Sequence, residues 1–158
     1  MSLAVLALIA WVVIYGFTAI PKGLTLSEMV FLYFLLGIMT ITLFTVLDVN
    51  LHRVPVTQKW EGSFAMYICR FVVIPILLLT AICMLNQAHW KAVRRWAWTA
   101  AVLLFLCIAD RIYLWLGLME YRRWNEWYSA VMYGAFLLIS WRVGRWFVRL
   151  DRGGFKKS

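Results

Sequence analysis

Three charged residues lie inside the third and fourth apolar stretches, which leave little room for charge: Arg70 within Ser63–Leu85, and the neighbours Asp110 and Arg111 within Trp96–Leu118. A charge near the centre of a bilayer costs from about 2.5 kcal/mol to more than about 10, so such residues need partners, water or a ligand. Arg70 and Asp110 average to position 90, inside the Asn86–Arg95 connection between the two stretches. In an antiparallel hairpin, equal distance from the connection means equal depth. At ~1.5 Å per residue both residues fall about 5–6 Å from their span centres, on the side away from the connection, and a salt bridge between them is expected.

Two arginines and one carboxylate leave a positive charge over, and Arg111 points ~100° round the helix from Asp110. Its outlets are snorkelling to headgroups, pairing with Asp48 at the end of the preceding stretch, or holding an anion such as a lipid phosphate through its bidentate fork. Pro75 adds a predicted helix kink, because its ring removes the amide that would bond Phe71 and crowds that carbonyl, next to Arg70. Arg70, Asp110, Arg111 and Asp48 are therefore the candidate ligand-binding group. The competing reading is a structural ion pair that selects which helices pack together.

Other chemistry is sparsely supplied. His52 and His89 both fall in connections, without the spacing of a metal site, and Cys69, Cys83 and Cys107 are isolated within apolar stretches. The nine glycines are scattered and form no phosphate loop. A membrane-embedded hydrolase or transferase would need Asp110 or Asp48 as base and lacks a nucleophile. The expectation is a protein that is not an enzyme and carries no metal or cofactor.

The elements that must position these charges follow from composition. Of 158 residues, 65% are hydrophobic and 15% charged, against roughly 45–50% and ~25% in an average soluble chain. Spans of ~20 apolar residues fit at about 3–20, 29–47, 63–85, 96–118 and 128–147. The predicted fold is an all-α integral membrane bundle of five transmembrane helices, a single polytopic domain with no extramembrane domain and a basic tail at 148–158. Pro21-Lys22-Gly23 ends the first span, and Ser27-Glu28 opens the second with an acid suited to a helix N-terminus. The first stretch lacks a positive n-region and a good cleavage context, so it reads as a retained span rather than a signal peptide.

Lysine and arginine near the span ends set the orientation. One side carries Lys22, Lys91, Arg94, Arg95 and the C-terminal tail, whereas the other has Arg53, Lys59, Arg122 and Arg123 diluted by four acids. The N-terminus is expected outside and the C-terminus in the cytoplasm, in a bacterial cytoplasmic membrane. Of ten tryptophans, only Trp11 and Trp115 are expected to lie deep; the rest fall near boundaries, as an interfacial belt.

At the C-terminal end, Arg142, Arg145, Arg149 and Arg152 share an arc of about 80° at ~100° per residue. They make a candidate contact for anionic headgroups at the cytoplasmic face, or for a partner, and nucleic acid is not expected despite the basic balance. Two small-x-x-x-small pairs, Ala130 with Gly134 and Ser140 with Gly144, offer faces for helix contact. Five spans cannot divide into two equal inverted halves, as many transporters do. The expected function is a non-enzymatic accessory or scaffold subunit of a membrane protein complex, with a membrane-protein partner or a second copy. The alternative is a small carrier or binding protein for an anionic or lipid-like molecule, held by the Arg/Asp cluster.

Overall fold

A computed structural model of the chain describes residues 2–47, 60–87, 89–117 and 125–154. Every element among them is helical: α1 (Ser2–Ala19), α2 (Leu26–Thr45), α3 (Trp60–Ile68), a five-residue π-helical segment (Cys69–Val73), α4 (Ile74–Leu85), α5 (Ala92–Trp115) and α6 (Glu126–Gly154). Among the described residues, three continuous helical stretches are long and apolar enough to cross a membrane, Leu26–Thr45, Met66–Leu85 and Ala92–Trp115.

Helix ends follow local chemistry. Thr25 caps α2 in a reciprocal box: the Glu28 amide donates to Thr25 Oγ1 at 3.3 Å, and the Thr25 amide donates to Glu28 Oε2 at 2.8 Å. Each bond satisfies an amide that has no partner within the helix. Glu28 thus acts at a helix N-terminus as its position in the sequence implies, although α2 starts at Leu26 and takes in Ser27 and Glu28. α5 likewise opens at Ala92, ahead of Trp96, and closes at Trp115. Trp115 is thus the last residue of α5, and it is exposed. α6 runs through the first residues of the basic tail to Gly154.

α4 occupies the centre, packed by α1, α2, α5 and α6. Its residues are apolar on every side, from Ile74 and Leu78 to Ile82 and Leu85, the pattern of a helix buried all round. The surrounding helices each turn one stripe inward. On α2 it is Glu28, Leu32, Leu36, Thr40 and Phe44, at every fourth position. On α5 it is Thr99, Val102, Leu106, Ala109, Asp110 and Tyr113. Asp110 is thus in register with core residues, which is why a charge lies inside.

Pro75 sits in the first turn of α4, just after the π segment, where the Ile74 amide reaches back to the Cys69 carbonyl. In α-helical register, the Phe71 carbonyl loses the donor that a Pro75 amide would have supplied. Tyr33 on α2 supplies one: its hydroxyl donates to Phe71 O at 2.8 Å. The freed acceptor expected beside Arg70 is thus taken by a tyrosine from a neighbouring helix. A Tyr33→Phe variant is expected to lose about 1 kcal/mol of folding stability, and less in a Pro75→Ala background, where a new amide can serve Phe71. Equal losses in both backgrounds, measured by denaturant titration in micelles, would exclude this account.

Candidate functional site

Arg70 and Asp110 are both buried, 6% and 5% exposed. They lie in the half of the bundle away from the α4–α5 connection, as equal distance from that connection requires. Asp110 is held by a residue the sequence reading passed over. The Tyr133 hydroxyl of α6 reaches both carboxylate oxygens, at 3.0 Å from Oδ1 and 3.2 Å from Oδ2. Tyr133 is completely buried. The usable signal was its type: a tyrosine deep in an apolar stretch must place a hydroxyl somewhere.

Arg70 projects from the π segment against Phe44 of α2, with its guanidinium 4.5 Å from the ring centroid. This cation–π contact faces a desolvated ring, the arrangement in which such contacts are strongest. Cys69 and Tyr113 line the adjoining wall, both buried, with the Tyr113 hydroxyl turned toward the thiol but short of a well-formed hydrogen bond. One polar centre therefore ties α2, the π segment, α5 and α6 together at a single depth.

The other predicted site residues are placed differently. Arg111 follows Asp110 but is exposed on the outer face of α5, in accord with its ~100° offset. Asp48, its suggested partner, falls outside the described residues. Such a centre can orient helices and hold a carboxylate in one geometry, and Arg111 offers a separate outward cation.

At the opposite end several of the described basic residues lie together. The Gln87 side chain donates to the Pro21 carbonyl, joining the α1–α2 turn to the end of α4. Arg95 donates to Leu85 O at 3.3 Å, across the α4–α5 turn. Arg94 stacks over Trp90 and Arg145 over Trp141, with guanidinium-to-centroid distances of 4.2 and 4.9 Å. Arg142, Arg145 and Arg149 are exposed on α6, and Arg145 and Arg149 also face a cleft with Gly23 and Asn86. Arg152 lies on the same helix, with its side chain outside those described.

The two small-residue pairs are not equivalent. Ser140 is fully buried and directs its hydroxyl to Met39 Sδ at 3.8 Å, and a methyl group added at Gly144 would meet Leu32 Cδ2 at 2.9 Å. This pair is the α2–α6 interface. Ala130 and Gly134 are half-buried, and a methyl group at Gly134 would meet nothing within 4 Å.

Compared with protein-family models, with curated proteins and with solved structures, the chain matches none.

Proposed function

We propose that this chain is a five-span membrane protein, N-terminus outside and C-terminus in the cytoplasm of a bacterial cell, that serves as a non-enzymatic accessory or scaffold subunit of a membrane complex. One observation carries the reading: the outward faces of the helices are as apolar as the core they enclose. Outward positions on four helices are large and apolar, among them Leu8 and Trp11 on α1, Phe34 and Ile38 on α2, Leu104 on α5 and Val131 on α6. Arg70, Asp110 and Tyr133 are turned inward. Exposed apolar area on this scale marks contact with lipid or with a partner.

The inward cluster supports a structural role for its charges. Asp110 is gripped by Tyr133, and Arg70 is packed on Phe44, so both face groups of the protein itself. A carrier for an anion is the second reading, and it depends on Arg111, the cation of the group that faces outward. Native mass spectrometry of protein gently extracted from its own membranes separates the two. The expected result is a stoichiometric protein partner or second copy, retained in full by Arg111→Leu. A monomer carrying an anionic small molecule that disappears with Arg111→Leu would replace the scaffold by the carrier. A reporter fused after Ser158 and active only outside the cell would reverse the orientation.

A further inference from the structure

α1 and α5 both pack on the central rod without closing on one another, and between them lies a groove of about 300 Å³ with Leu77 and Thr80 of α4 at its floor. Its walls include Gly16 and Ile20 of α1 and Trp98 and Ala101 of α5. Small residues on both walls hold it open: a methyl group added at Gly16 would meet no atom within 4 Å. Thr80 spends its hydroxyl on the Ile76 carbonyl of its own helix, at 2.8 Å, so the floor makes no polar demand on an occupant. An aliphatic chain suits such a slot.

The charge at one mouth specifies what that chain belongs to. Ile20 and Trp98 mark the end of the groove toward the basic pole. Lys22 follows Ile20 directly after Pro21, with its ammonium 5.2 Å from the centroid of Phe17, another groove residue. Arg94 stands one turn before Trp98 on the same face of α5 and is steadied over Trp90. An apolar slot with a lysine just beyond the last residue of one wall and an arginine one turn before the first residue of the other is complementary to an acyl chain ending in a phosphate. A partner's helix would fill the slot without calling for either cation.

We propose that this groove binds one anionic phospholipid, with an acyl chain between α1 and α5 and its phosphate between Lys22 and Arg94. The inference rests on the membrane-spanning reading and not on the scaffold role.

The test uses the full chain in detergent, equilibrated with equal amounts of phosphatidylglycerol and phosphatidylcholine and read by native mass spectrometry. One phosphatidylglycerol is expected to be retained in preference to phosphatidylcholine. Lys22→Gln and Arg94→Gln should each reduce the preference about fivefold. Gly16→Leu fills open space and removes a helix-weakening glycine, so its circular dichroism and thermal melting should stay at or above wild type while lipid of either headgroup is lost. Ala101→Leu, on the opposite wall, should do the same. Full retention in folded Gly16→Leu, unchanged preference in the double Gln variant, or a cross-link from Ala101→Cys to another protein would each overturn the proposal. If the chain leaves its membranes under alkaline carbonate, the spanning reading fails, and a distinct observation records it.

Discussion

Asp110→Ala is expected to cost about 3–5 kcal/mol of folding stability, the range seen when one member of a buried charged group is removed. The carboxylate is 5% exposed and both its oxygens are engaged by Tyr133, so truncation leaves a buried tyrosine hydroxyl without its acceptor and takes an anion away from a buried arginine at matching depth. Asp110→Asn keeps an acceptor and should lose less. Tyr133→Phe removes only the donor, and about 1 kcal/mol is expected, in keeping with single hydrogen bonds between membrane helices. The ion pair read from the sequence has a sharper test in charge reversal. Arg70→Asp combined with Asp110→Arg should recover part of the stability lost in either single variant, measured by denaturant titration in micelles. Single losses that merely add would mean that the two residues do not touch.

The second large effect is steric. Gly144→Leu should cost at least about 2–3 kcal/mol, because its first added carbon already falls 2.9 and 3.3 Å from the two terminal methyls of Leu32. Leu32 is 1% exposed and has little room to rotate away. Gly134→Leu, ten residues earlier on the same helix, should be close to neutral, since nothing stands within 4 Å of the added carbon. Leu32→Ala should rescue part of the Gly144→Leu defect in the double variant. Equal sensitivity at the two glycines in a thermal melt would show that α2 and α6 do not approach at Gly144.

Much of the architecture was legible because the relevant physics is local and one-dimensional. A run of apolar residues is a helix candidate whatever surrounds it, and helical stretches that are long and apolar enough to cross a membrane coincide with the predicted second, third and fourth spans. The role of Glu28 was visible because a cap involves only residues three apart. Equal distances of Arg70 and Asp110 from the α4–α5 connection can be counted along the chain, whereas the burial of both side chains is a finding of the structure. Span limits were less well placed: the start of α2 at Leu26 and of α5 at Ala92 reflect helical turns continuing through polar residues that a hydropathy boundary excludes.

What counting residues cannot supply is rotation and neighbourhood. That Phe71 O, freed by Pro75, takes the Tyr33 hydroxyl depends on which face α2 turns toward the π segment. The grip of Tyr133 on Asp110 depends on α6 lying beside α5, and two small-residue pairs of the same spacing differ because one faces Leu32 and the other faces open space. Sequence alone determined helical character and the approximate positions of three helices long and apolar enough to cross a membrane, since each follows from the chain's own period and length. Tertiary structure decided which hydroxyl meets which acceptor, which glycine lies against a neighbouring helix and where a groove stays open, because these depend on how separate helices rotate and pack against a common central rod.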